Sequence, residues 1–383
     1  MTEIPSKASV VIIGGGVIGV SAAYHLAAAG VRDVVLIERG ALGSGSTCRA
    51  AGGVRAQFSD RVNIELATRS LETYERFGER FGQDIDLRQV GYLFLLDQPE
   101  TVAEFESAVA VQNDLGVPSR MISVAEARRL SPLIGTDGLL AAVYSPTDGH
   151  CTPESVVLGF ATTARRLGAR LVTNCAASGI EYDGDRIIAV STEGGRIETD
   201  TVICAAGAWS REVGAWAGVD LPVVPLRRQI VLTEPMNGLD PATPFTIDFG
   251  TAFYFRAEGA GLLLGMSDPD EKPGFNTNRS ESWLASVAAA VQRRAPALAD
   301  VGLTTGWAGL YEMTPDHNAL IGTAGDGRFL YAAGFSGHGF MMGPAVGEVL
   351  RDLCLQRPTF TDISGFHAGR FTGAAGRPEL NVV

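Results

Sequence analysis

Lysine is almost missing from this chain of 383 residues: Lys7 and Lys272 are the only two, and arginine carries nearly all the positive charge. That leaves no room for clustered lysine chemistry. The formal net charge of −12 also denies the chain the basic surplus that nucleic acid or an anionic membrane surface asks of a partner. Cysteine is sparse and irregular. Cys48, Cys151, Cys175, Cys204 and Cys354 are odd in number and form no CxxC, which argues against a disulfide framework or a zinc site and fits a reducing compartment. Residues 8–31 form a run without Asp, Glu, Lys or Arg, yet they contain five glycines and His25, so they read as a buried strand and helix, not a membrane span. No positive segment precedes a cleavable apolar run at the start, so the expected location is cytoplasmic. There is no internal repeat and no low-complexity tract. The length suffices for two compact lobes.

What is present is concentrated at the N-terminal end. The apolar strand Val10-Val-Ile-Ile13 runs into Gly14-Gly-Gly-Val-Ile-Gly19, a small-residue helix follows, and a second strand, Val34-Val-Leu-Ile37, ends on Glu38. Each residue type has a reason. Gly14 permits the tight turn, Gly16 lets backbone approach a pyrophosphate, and Gly19 lets helix and strand pack closely. Val17 and Ile18 open the helix, whose free N–H groups face the phosphates. Glu38, nineteen residues after Gly19, is placed to accept hydrogen bonds from ribose hydroxyls. Together these predict a dinucleotide site. The long small-residue loop from Gly40 to Val54 is not what a nicotinamide Rossmann domain needs next, and it suits a larger cofactor whose second half also needs cradling.

Further along, periodicity predicts helices over 60–82, from Pro99 to about Leu115, and over 153–167, with a capping box at Ser123–Glu126. Residues 170–206 read as a strand meander that closes on Thr201-Val-Ile-Cys-Ala-Ala-Gly207, where Ala206 and Gly207 end a strand at a cofactor crevice. Strands are expected at 223–233, 245–249, 252–257 and 261–266, then a helix over 282–294. Arg328–Ala333 returns to a parallel-type strand before a helix from Pro344 to Leu355. The expected class is α/β: a Rossmann-like lobe of mostly parallel sheet plus a second α+β lobe with antiparallel sheet. The first lobe is assigned 1–84, 148–218 and 322–383, and the second 85–147 and 219–321.

The chain resembles the D-amino-acid-oxidase-like flavoproteins, nearest to sarcosine oxidase β-subunits, sarcosine and dimethylglycine dehydrogenases, and proline dehydrogenases of that type. The residues that carry it are the N-terminal βαβ unit, Gly45-Ser-Thr-Cys-Arg-Ala-Ala-Gly-Gly53, Ala205-Ala-Gly-Ala-Trp209, Tyr254-Phe-Arg256, Met313-Thr-Pro-Asp316 and Gly334-Phe-Ser-Gly-His-Gly-Phe340. They span nearly the whole chain in family order. The resemblance implies FAD, with its adenosine on Glu38 and Arg39 and its pyrophosphate over the first glycine turn, Ser46 and Thr47. Ala50, Ala51, Gly52 and Gly53 would hold the flavin, with Arg49 at the same loop. Ala177 would meet adenine through its backbone, and Gly337, His338, Gly339 and Met341 would edge the pyrimidine ring.

The implied chemistry is hydride removal from a C–H bond beside an amine nitrogen, with hydrolysis of the resulting imine. Arg55 is the candidate cation for a substrate carboxylate and Arg49 its rival. Tyr311 is expected in the substrate pocket. Tyr254 is a second candidate, although strand alternation leaves open whether Tyr254 with Arg256 or Phe253 with Phe255 faces the cofactor. His338 is expected beside the flavin, tuning or orienting it more than serving as a base. Some relatives attach flavin through cysteine or histidine. Gly309 and Arg49 stand at those positions here, so FAD is expected to be non-covalent. Leu263 and Met341 stand where monomeric sarcosine oxidases have lysines, which points to a dehydrogenase using an electron-acceptor protein or quinone in place of oxygen. A D-amino-acid dehydrogenase, and a catalytic or flavin-binding subunit of a heteromeric amine-oxidising complex, are the alternatives.

Overall fold

The computed structural model describes residues 4–372 and 378–382. Val10–Ile13 is buried along its whole length, as a strand covered on both faces must be. It pairs in parallel with Val34–Ile37 on one side and Val202–Cys204 on the other. Arg170–Val172 and Phe329–Ala333 extend the sheet in parallel at the two flanks, and Leu320–Ala324 closes one edge antiparallel. The expected α/β architecture is therefore the one observed. The stretch 170–206 is not a single meander, however. The helix Pro153–Arg166 returns the chain so that Arg170–Val172 enters the parallel sheet, while only Ala177–Asp183, Arg186–Thr192 and Gly195–Glu198 form the antiparallel unit.

Helix Val17–Ala28 lies against the long helix Gly339–Cys354, and glycine makes the approach possible. A Cβ on Gly347 would stand 2.1 Å from Ser21 Oγ, and one on Gly343 2.6 Å from Val17. The long helix begins five residues before the expected start at Pro344. Proline inside a helix removes the N–H that residue i−4 needs. Here Tyr74 Oη donates to the stranded Phe340 carbonyl at 2.6 Å, and Ser70 Oγ accepts from Ala345 N at 3.1 Å. Two hydroxyls from the helix Arg61–Glu75 thus let the helix pass through its proline and start at the cavity described below.

The second sheet has eight strands in the order 303–313, 224–233, 261–266, 253–258, 245–248, 92–96, 141–145 and 120–122. All neighbours are antiparallel except Tyr92–Leu96 with Phe245–Asp248. Phe253, Phe255, Leu262 and Leu264 pack on one face with Trp283 and Val287 of the helix Glu281–Arg294. That settles the alternation: Tyr254 faces the other way. Arg294, itself buried, bridges Asp248 and Asp97 at 2.7 Å each and ties the covering helix to the sheet. Leu303–Met313 is a strand the sequence conceals, because its glycines and lack of β-branched alternation hide the pattern. Gly306 is required there, since a Cβ would reach 2.3 Å from the Ile230 carbonyl. Among the described residues no helix is long and apolar enough to cross a membrane.

Candidate active site

One cavity of about 580 Å³ runs between the two sheets. Its first end is backbone. Gly14, Gly15 and Gly16 line it ahead of the first helix, and Gly14 sits at φ +112°, where a Cβ would stand 2.2 Å from the Ala205 carbonyl. Thr47 Oγ1 accepts from Val17 N at 3.1 Å and so caps the helix from a separate loop. Glu38 is fixed by the same backbone: Oε2 accepts from Gly15 N at 2.7 Å and Oε1 from Gly40 N at 2.8 Å. Ser46 Oγ donates to the Leu310 carbonyl at 2.6 Å, joining the loop to the second sheet. Arg39 stacks on Trp209, its Cζ 3.7 Å from the ring centroid, and Trp209 stacks in turn on Phe275.

Of the site residues expected from sequence, all but one line this cavity. Val17, Ile18, Ala50, Ala51, Gly52, Ala177, Ala206, Gly207, Gly337, Gly339 and Met341 do so with the rest. Gly19 does not. A Cβ there would lie 1.9 Å from the Gly14 carbonyl, so its smallness serves helix–strand packing and not contact with the cavity contents. Gly53 is tightly enclosed: a Cβ would fall 1.8 Å from Tyr92 Oη. Arg256 donates from Nε to the Ala51 carbonyl at 2.6 Å and braces that loop from the second sheet. Arg49 donates to the Ala308 carbonyl at 2.8 Å and packs on Gly309, whose Cβ would come within 2.9 Å of the Arg49 Cβ.

The second end is side chain. Arg55 is buried with its guanidinium over Phe58 and Phe94. It donates to the Gln57 carbonyl, to the Asn381 carbonyl at 2.6 Å, and toward His338 Nε2 at 3.3 Å. Arginine has only donors, so His338 accepts through Nε2 and is neutral. Burial, with the Arg55 charge second, holds its pKa well below the ordinary histidine range. Behind Arg55 the Asp148 carboxyl accepts from Ala56 N and Gln57 Nε2, both at 3.1 Å, and burial pushes it up to about 6. Tyr311 lies against Gly337, and Tyr254 tilts on Phe245 with ring centroids 5.5 Å apart.

Three features of this wall escape sequence reasoning. Tyr92 and Phe245 stack at 4.3 Å across the parallel strand pair. Arg228 places its Cζ 4.9 Å from the Tyr311 ring centroid. Glu312 keeps a buried Oε2 without a partner, and burial pushes its carboxyl up to about 7. The last two depend on how strands 224–233 and 303–313 pair, and the sequence pattern of the second strand does not show it.

A glycine-lined helix start, an acid held at the end of the second strand and a long cavity are a dinucleotide's requirements. Residues 9–353 match the family described as FAD dependent oxidoreductase. The chain belongs to that family. FAD is the cofactor of this FAD-dependent oxidoreductase, and the cavity fits it, since the glycine cradle excludes Cβ atoms where an anionic pyrophosphate needs backbone N–H groups. The 4-methylaminobutanoate oxidase (formaldehyde-forming) of Paenarthrobacter nicotinovorans is 31% identical over 97% of this chain and 46% of its own length. The mitochondrial dimethylglycine dehydrogenase of Rattus norvegicus is 33% identical over 92% of this chain and 43% of its own. The chain thus spans less than half of these curated relatives. The crystal structure of L-proline dehydrogenase from P. horikoshii superposes with a TM-score of 0.90 and 34% identity, covering 96% of this chain and 99% of that one.

Proposed function

We propose that this oxidoreductase oxidises a secondary or N-methyl amino acid, of the sarcosine, dimethylglycine or proline kind. The observation that carries the reading is the continuity of one cavity, from the glycine cradle to an aromatic sheet face bearing arginine. When bound, FAD would supply a two-electron acceptor for the hydride beside the amine nitrogen, whose lone pair would form the C=N bond of an imine open to hydrolysis by water. The chain's own groups orient and enclose. Glu38, Thr47 and the N–H groups after Gly14 hold the nucleotide end, and the start of the helix Gly339–Cys354 faces the cavity with its positive dipole end. Neutral His338, held by Arg55 at 3.3 Å, would contact the flavin and leaves the substrate amine to bind already unprotonated. Tyr92, Phe245 and Tyr254 exclude water from the amine's apolar substituents.

Among the described residues no lysine lines the cavity, and cysteine enters its lining only at Cys175. This supports non-covalent FAD and a dehydrogenase that passes electrons to a protein or quinone, in a larger complex or alone. The test is purification followed by anaerobic titration of the flavin absorbance with sarcosine, L-proline, D-proline and D-alanine. Bleaching by sarcosine or L-proline is expected, with all colour released into the supernatant on acid precipitation. Fast bleaching by D-alanine and not by the secondary amines would replace this reading with a D-amino-acid dehydrogenase.

A further inference from the structure

Two adjacent arginines on one strand have opposite fates. Arg227 points away from the cavity and is paired with Glu271, Nε to Oε2, at 2.7 Å, with Nη1 donating to the Asn278 carbonyl. Arg228, one residue on, turns to the cavity face, as strand alternation demands. Among the described residues it has no carboxylate within ion-pairing distance. Its Nη1 donates to the Arg227 carbonyl at 3.1 Å, and its Nε is buried with no partner. The guanidinium carbon lies over the Tyr311 ring, 4.9 Å from its centroid. What is left is the Nε–Nη2 edge, the pair of parallel N–H groups that engages a carboxylate side-on.

Arg228 is half-buried, but its Nε is fully buried, and a buried donor without a partner is costly. A ligand carrying a carboxylate removes that cost. The other cavity arginines are already occupied. Arg39 is stacked on Trp209, and Arg49 donates to the Ala308 carbonyl. Arg55 spends its donors on two backbone carbonyls and His338. Beside Arg228 on the same sheet face stand Ile230 and Tyr254, an apolar surface suited to a small aliphatic body and unsuited to a second charge.

We infer that Arg228, lying over Tyr311, is the residue that binds the carboxylate of the substrate, and that Arg55 is a positioning residue acting through His338. The inference rests on the amino-acid reading given above, in that it needs an anionic substrate. It divides the labour of two cations: one is built into the wall, and the other waits for a ligand.

The experiment uses the FAD-loaded protein and two kinds of probe. The first is 2-furoate, a planar carboxylate that cannot be oxidised as an amine, titrated by its perturbation of the flavin spectrum. The second is a matched pair of amines, L-proline and pyrrolidine, which differ only in the carboxylate. Arg228→Met should weaken 2-furoate binding and half-saturation by L-proline about 30- to 300-fold, with FAD content and response to pyrrolidine within about twofold of wild type. Arg228→Lys keeps the charge without the fork and should fall between the two, which serves if the methionine variant fails to fold. Arg55→Met gives the contrasting arm, with a changed flavin spectrum and smaller loss of 2-furoate binding. Undiminished 2-furoate binding in Arg228→Met, or a greater loss in Arg55→Met, would overturn the assignment. If no amine reduces the wild-type flavin, the amino-acid reading fails, while the 2-furoate titration still decides whether Arg228 is an anion site.

Discussion

At the glycine-lined end of the cavity the walls are main chain; at the end proposed for the substrate they are side chains. The first wall is built largely from residues 14–53, close in sequence, whose N–H groups and missing Cβ atoms shape the space. The second draws on Arg55, Tyr92, Arg228, Tyr254 and Tyr311, gathered from five separate strands or loops. A backbone wall recognises what every FAD shares and tolerates no added atom. A side-chain wall can be rewritten one residue at a time, because the sheet beneath it is held by Trp283, Arg294 and their neighbours on the opposite face. Cofactor identity and substrate identity are thus separable properties of one cavity.

The sharpest way to break that contrast is Gly14→Ala. At φ +112°, with 2.2 Å between the new Cβ and the Ala205 carbonyl, a single methyl should cost about 3 kcal/mol or more and yield protein purified without yellow colour. A stable, yellow variant would show that the cradle yields, and the contrast would collapse. Next in size is Arg55→Ala. It strands the Gln57 and Asn381 carbonyls and frees the His338 ring, so urea unfolding should show a loss of about 2–4 kcal/mol. An unchanged midpoint would mean that those carbonyls are solvated without it.

The smallest effect sharpens the comparison through pH. Burial raises the Glu312 carboxyl from 4.5 to about 7, so the folded chain holds a proton that the unfolded chain releases. Its contribution to stability is full below about pH 4.5 and is lost as pH rises through 7. Asp148, raised to about 6, acts with the same sign. Glu312→Gln should therefore flatten, without abolishing, the decline in the apoprotein unfolding free energy from urea titration between pH 5 and 8, by about 1–2 kcal/mol. An identical slope in both proteins would show that Glu312 does not hold the proton.

The same division explains what the sequence disclosed. Glycine spacing announces a backbone wall, because Gly14 and Gly53 are needed for reasons visible one residue at a time. Helices with strong punctuation were equally plain: Ser123 caps Glu126 N at 3.2 Å, and Pro99 and Pro153 open theirs. Arg228 was not legible, because its meaning depends on which face of its strand meets Tyr311, and the strand carrying Tyr311 lacks a readable pattern. The face of Tyr254 waited on Trp283, nearly thirty residues away. The start of the last long helix was misplaced because the hydroxyls that rescue Pro344 belong to Ser70 and Tyr74.

That rescue bears on the order of assembly. During synthesis the helix Gly339–Cys354 emerges long after Ser70 and Tyr74, and by itself its first turn has a carbonyl that nothing in its own sequence can satisfy. In the folded chain the helix Arg61–Glu75 completes that turn, through Tyr74 and Ser70. The final piece of the nucleotide lobe therefore acts as a clasp, closing the cavity when its two distant ends have found each other.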